Sequence, residues 1–128
     1  MASVGLVASL ALLVYMGIVM SVGRARGHYK VEAPAVTGHP IFERHFRVQQ
    51  NTVEQLVLFF PALFLFAQFV SADAAAVLGL IFVAGRVLYA IGYVKDPARR
   101  GPGFMISGLA NLALVLGALF GTARDLLG

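Results

Sequence analysis

Residues 3–22 carry no charged side chain at all. About 20 predominantly apolar residues are what an α-helix needs to cross a bilayer, so this run alone directs the chain toward lipid. Three more apolar runs follow. The second covers residues 56–70 and is extended toward its N-terminus by the polar stretch 43–55. The third covers 74–94 and is interrupted by Arg86. The fourth covers 104–123 and is interrupted by Asn111. None alternates with period two, and all are longer than barrel strands, which excludes a membrane β-barrel. Hydrophobic residues make up 59% of the 128 and charged residues 12%, with a mean hydropathy of +0.84. A soluble domain carries about 25% charged residues, so this chain lacks the polar atoms to cover a water-facing surface. The expectation is an all-α transmembrane four-helix bundle, one domain over residues 1–128, with spans near 3–23, 43–70, 74–95 and 103–124. The N-terminal run has no basic segment before it and exceeds the apolar core of a signal peptide, which predicts a retained helix.

The connections between runs carry most of the charge. Arg24, Arg26, Lys30, Arg44 and Arg47 cluster around the first, and Lys95, Arg99 and Arg100 around the third. Residues 23–40 read as a long polar loop, and 96–103, with two prolines and two glycines, as a turn. Residues 71–73 form a tight turn in which Asp73 is expected to cap the third helix. The basic bias predicts loops one and three on the cytoplasmic side and both termini outside. The net charge of +4 is then a matter of topology and an anion site; the basic and aromatic interleaving of a nucleic-acid face is missing. The chain has no cysteine, so any sulfur chemistry must come from a ligand. His28, His39 and His45 lack metal-ligand spacing, and no metal is expected.

Ionisable groups within or beside a span are costly, which makes them functional candidates. Arg44, Arg47, Asn51 and Glu54 are spaced to share one helical face, flanked by Glu43 and Gln55. Arg86, Tyr89 and Tyr93 share a face of the third helix, and Arg100 follows seven residues later, beyond Pro97. A structural reading pairs Arg86 with Glu54 inside the bundle and lets the other arginines snorkel to headgroups. The surplus of arginine over acid favours an anionic ligand held by bidentate bonds instead. Glutathione fits this inventory. Arginines match its two carboxylates, Glu54 its ammonium, and Asn51 and Gln49 its amides. Spacing alone does not select it over other anions. Pro61 is expected to kink the second helix. Asn111 is expected to make an interhelical hydrogen bond, and the phenylalanines of the second span to serve packing and lipid contact.

Two motifs resemble one family. Residues 43–54 read E-R-x-x-R-x-x-x-N-x-x-E, through Glu43, Arg44, Arg47, Asn51 and Glu54. Residues 85–93 read G-R-x-x-Y-x-x-G-Y, through Gly85, Arg86, Tyr89, Gly92 and Tyr93. Both are similar to the signatures of the MAPEG family, the membrane-associated proteins of eicosanoid and glutathione metabolism. The second has glycine where that family has alanine. The resemblance covers nearly the whole chain and implies a left-handed four-helix bundle assembled as a homotrimer, with glutathione sites between subunits. It assigns glutathione binding to Arg47, Asn51, Glu54, Tyr89, Tyr93 and Arg100 of one subunit, and the polar stripe of the third helix adds Arg86 as a candidate. Arg26 and Gln49 would come from its neighbour. It makes Arg100 the group that stabilises the thiolate, with Arg26 assisting. Gln55 stands where the leukotriene-forming branch has tyrosine, and Gly27 where it has a second arginine.

The resulting expectation is a membrane-bound glutathione transferase of the detoxifying kind, with glutathione as co-substrate. Lipophilic electrophiles would be its acceptors, and glutathione peroxidase activity on lipid hydroperoxides would follow from the same thiolate. Its partners would be copies of itself and membrane lipid. The alternative is a noncatalytic family member that binds lipid or glutathione. A small multidrug exporter of similar length would need an acidic residue in the first helix, and residues 1–23 hold none.

Overall fold

A computed structural model describes all residues, 1–128. The chain forms four helices: α1 (Ala2–Tyr29), α2 (Pro40–Phe69), α3 (Ala72–Lys95) and α4 (Gly101–Leu127). A 3-10 turn (Pro97–Arg100) joins the last two. All four are long and apolar enough to cross a membrane, and the chain is an integral, multi-pass membrane protein. Thirty-one of 128 residues are buried, while leucines, valines and phenylalanines along every helix stay exposed. In water that surface would aggregate; in a bilayer it is the lipid-facing shell.

The helix boundaries refine the expected spans. α1 continues a turn and a half past Gly23, so Arg24 and Arg26 ride on a helix and not in a loop. It stops at Lys30, which adopts a left-handed conformation (φ 56°, ψ 45°), and the Val31 N–H returns to the Arg26 carbonyl (3.0 Å). That is the usual way to satisfy the last carbonyls of a helix. Pro40 opens α2 instead of closing the loop; proline suits the first helical position because its missing N–H would be unpaired there anyway. His39 Nδ1 accepts from the Ile41 N–H (3.1 Å) as the cap. At α3 the expected cap is corrected. Ser71 Oγ accepts from the Ala74 N–H (3.1 Å), and Asp73 lies exposed in the first turn, where its charge suits the helix dipole. α2 remains helical through Pro61.

The core follows the helix period. Phe59 of α2 stacks on Phe82 of α3, with ring centroids 4.0 Å apart and planes 10° from parallel. Leu63 and Leu114 fill the same layer from α2 and α4, and Val4 and Val7 from α1. Asn111 Nδ2 donates to the Gln55 carbonyl (3.2 Å) and to Gln55 Oε1 (3.1 Å), the interhelical bond expected of it. Arg44 Nη1 donates to the Val94 and Lys95 carbonyls (3.1 and 3.2 Å), tying the start of α2 to the end of α3. The first and third connections therefore lie at one end of the bundle. At the other end Arg124 Nη2 caps the Phe69 carbonyl (2.9 Å).

Close contact between α3 and α4 depends on Gly85 and Gly103. A Cβ on Gly103 would overlap the Tyr89 backbone, and one on Gly85 would lie 2.7 Å from the Ser107 nitrogen. Small residues at such crossings let helices approach within the bilayer. Gly103→Ala is expected to cost about 1–3 kcal/mol through overpacking. Gly108→Ala, where an added Cβ meets open space, is expected to be neutral or slightly stabilising. Thermal melts of the two variants in detergent check the contrast.

Candidate functional site

The two polar stripes converge. At the end of the bundle that carries the first and third connections, α2, α3, the 3-10 turn and the start of α4 enclose a cavity of about 450 Å³. Its walls are Arg47, Gln50, Asn51 and Glu54 from α2, Tyr89 and Tyr93 from α3, and Arg100, Gly101 and Phe104 from the turn and α4. Sites for small organic ligands span about 300–1,000 Å³. Six of the nine expected site residues line this cavity: Arg47, Asn51, Glu54, Tyr89, Tyr93 and Arg100.

The helix period explains why. Residues 47, 50, 51 and 54 stand at i, i+3, i+4 and i+7, so α2 presents them as one edge. Arg47, Gln50, Glu54 and Arg100 are exposed, and Asn51 and Tyr93 half-buried. Tyr89 is buried beneath them, its ring 5.6 Å from Tyr93 and 6.3 Å from Phe104. Arg100 Nη1 donates to the Pro97 carbonyl (3.3 Å), which leaves most of the guanidinium fork free. Pro97 starts the 3-10 turn, and Asp96 Oδ1 caps it at the Ala98 N–H (3.1 Å). The arginine is thereby carried on a short, closed connection and not on a free loop.

Arg86 lies behind the cavity wall and not in it. It is 1% exposed. Its Nη2 donates to Asn51 Oδ1 (2.7 Å) and Thr52 Oγ1 (2.9 Å), and its Nη1 to Ser107 Oγ (3.3 Å). Its Cζ sits 4.1 Å from the centre of the Tyr89 ring. The structural alternative raised by the sequence, an ion pair with Glu54, is not what forms. A buried cation within a bundle is tolerated here through three oxygen acceptors and an aromatic face. Its consequence for the cavity is indirect, because it fixes the orientation of Asn51 and Tyr89.

Arg26 and Gln49 are not brought to this cavity. Arg26 Nη1 donates to the Ala35 carbonyl (2.7 Å) and the Val31 carbonyl (3.4 Å), with its Cζ 4.8 Å from the centre of the Phe42 ring, so it fastens the 30–39 connection. Gln49 is half-buried on another face of α2. α1 contributes nothing to the cavity. Gln50 and Phe104 were missed by the sequence reading. The signal for Gln50 was present, three residues after Arg47 and four before Glu54. Nothing in the spacing marks Phe104, which depends on how α4 crosses α3.

Fold and cavity together define the class: a small four-span helical membrane protein with an arginine-bearing cleft at one end of its bundle. The chain belongs to the MAPEG family, whose model matches residues 4–120. It is 46% identical over 114 residues to the uncharacterised protein sll1147 of Synechocystis, covering 89% of this chain and 83% of that one. It is 45% identical over 101 residues to human microsomal glutathione S-transferase 2, covering 78% and 69%. It is 34% identical over 100 residues to guinea-pig (Cavia porcellus) leukotriene C4 synthase, covering 73% and 67%.

Proposed function

We propose that this chain is a membrane-bound glutathione transferase. The observation that carries the reading is the convergence of Arg47, Asn51, Glu54, Tyr93 and Arg100 on one cavity of suitable volume. The similarity to a glutathione S-transferase and a leukotriene synthase supports glutathione as the ligand. Arg47 and Arg100 complement its anionic groups and Glu54 its ammonium, while Asn51 and Gln50 satisfy amides. Arg100 stabilises the thiolate, which is the nucleophile; the thiol proton leaves to solvent. The thiolate then forms a carbon–sulfur bond to a lipophilic electrophile arriving from the bilayer, and the leaving group departs. With a lipid hydroperoxide as acceptor the thiolate attacks the O–O bond, and a second glutathione completes reduction to alcohol, water and glutathione disulfide.

Arg26 and Gln49 fit the same reading through assembly. In a homotrimer the α1 end and the adjacent face of α2 of one subunit complete the cleft of the next, and Arg26 then assists by charge. Connections one and three face the cytoplasm, as the basic bias directs.

Conjugation of glutathione to chlorodinitrobenzene by the purified protein in detergent tests the reading. Turnover is expected. Measurable glutathione binding without conjugation of any electrophile or reduction of any hydroperoxide would establish the noncatalytic alternative. The assignment of Glu54 has its own test. Glu54→Gln is expected to weaken glutathione binding by about 10–100-fold, the worth of a hydrogen bond to a charged group of about 1.5–3 kcal/mol. N-acetylglutathione, which lacks the ammonium, is expected to bind parent and variant alike. Titration calorimetry with both peptides checks the pairing.

A further inference from the structure

A second cavity lies outside the glutathione cleft, on the side of the bundle where α1 and α3 flank α2. It is an open groove of about 400 Å³, and seven of its eleven lining residues are hydrophobic. Val14 and Ile18 of α1 form one wall, and Val87, Ile91 and Val94 of α3 the other. Gly17 also lines it, and a Cβ there would meet nothing within 4 Å. The groove abuts a second cavity. Ser21 and His45 belong both to it and to a polar cavity of about 230 Å³, lined also by Arg24, His28 and Tyr29. Ser21 Oγ gives its proton to the Ile18 carbonyl (2.7 Å) and lies 3.2 Å from His45 Nδ1. Lys95 stands at the same end of the groove. Neither cavity has an acidic lining residue. Asp96, next to Lys95, is occupied in capping the 3-10 turn.

Sharing Ser21 and His45, the two cavities adjoin as an amphipathic slot. Its apolar part reaches from Val94, beside the end of α3, to Val14, about four turns from the end of α1, and its cationic part sits at the helix ends, where the bilayer's headgroups lie. We propose that this slot holds an acyl chain of an anionic membrane phospholipid, with the phosphate between Arg24 and Lys95. Charge and depth both select that occupant. A chain lying alongside α1 and α3 enters from the hydrocarbon without leaving it, and the basic mouth favours an anionic over a zwitterionic headgroup. The inference goes beyond the transferase reading and does not depend on it, since none of these residues lines the glutathione cleft.

Native mass spectrometry of the full chain in detergent, with dioleoyl phosphatidylglycerol and dioleoyl phosphatidylcholine offered in competition, reads the occupancy per subunit. The parent is expected to retain phosphatidylglycerol in preference. Gly17→Phe fills the groove and is expected to lower retention on the order of tenfold. The double variant Arg24→Gln, Lys95→Gln changes only exposed side chains. It is expected to lose about 25-fold in affinity for phosphatidylglycerol, since each cation near an anionic headgroup contributes about fivefold. Phosphatidylcholine retention should be unchanged in that variant. Both variants are expected to keep the parent's helical circular dichroism and conjugation rate. Equal retention of the two lipids by the parent overturns the proposal, as does undiminished retention of phosphatidylglycerol by the double variant. The second outcome remains readable even if Gly17→Phe does not fold.

Discussion

Replacing Arg100 by alanine is expected to cost about 25-fold in kcat/KM at pH 7 and almost nothing near pH 10. A free cysteine-type thiol titrates near ~8.5, and a guanidinium alongside lowers such a value by about 1–3 units. A shift of about two units raises the thiolate fraction at pH 7 from about 3% to about 75%, which is the 25-fold. The sign is fixed by which form reacts. Activity is present above the bound thiol's pKa and falls away as the pH drops through it. Losing Arg100 therefore moves the profile toward higher pH and leaves the alkaline plateau in place. A pH–rate profile of parent and variant checks this. The bound thiolate's ultraviolet absorbance at pH 7 should fall in parallel. A purely structural role for Arg100 would lower the rate equally at every pH.

The second large effect lies behind the cleft. Arg86→Met is expected to destabilise the bundle by about 1–3 kcal/mol, the cost of leaving buried neutral acceptors without a donor, since the substitution removes the charge and strands none. Asn51 Oδ1, Thr52 Oγ1 and Ser107 Oγ all lose a donor. The Tyr89 ring loses the cation stacked on it. Methionine fills volume but offers no donor. Arg86→Lys keeps the charge yet cannot serve oxygens on two helices with a planar fork, so an intermediate loss is expected. In whatever fraction remains folded, Asn51 is no longer held, and KM for glutathione rises. The pH–rate profile is expected to stay where it was, because Arg100, the proposed thiolate stabiliser, is untouched. Thermal melts and the pH–rate profile together separate Arg86, a positioning residue, from Arg100.

Much of this arrangement was legible in the sequence, for identifiable reasons. Apolar runs of bilayer length fix four spans with little freedom, because lipid permits no unpaired backbone. The spacing of Arg47, Asn51 and Glu54 placed them on one edge of α2, and the helix period carried that edge into the cavity intact. What spacing could not show was the partner of each side chain. Arg86 shares a face with Tyr89 and Tyr93, yet its length carries it past the cavity to Thr52 and Ser107. Residues 24–29 looked like loop because they are mostly polar and include Gly27. They are helical because they extend α1 beyond the lipid, where polarity costs nothing. At α3, Ser71 and Asp73 are both capping residues by type, and only the backbone decides that Ser71 stands at the cap. The lipid-facing slot was invisible for a similar reason: His45 lies next to Arg44 in sequence but projects from a different face, toward α1.

The most direct measurement is a structure of the purified protein with glutathione bound. The expected result is a tripeptide in the cavity between α2, α3 and α4, its sulfur beside the Arg100 guanidinium and its ammonium on Glu54. Glutathione found elsewhere on a turning-over enzyme, or seated in that cavity with its sulfur away from Arg100, would contradict the assignment.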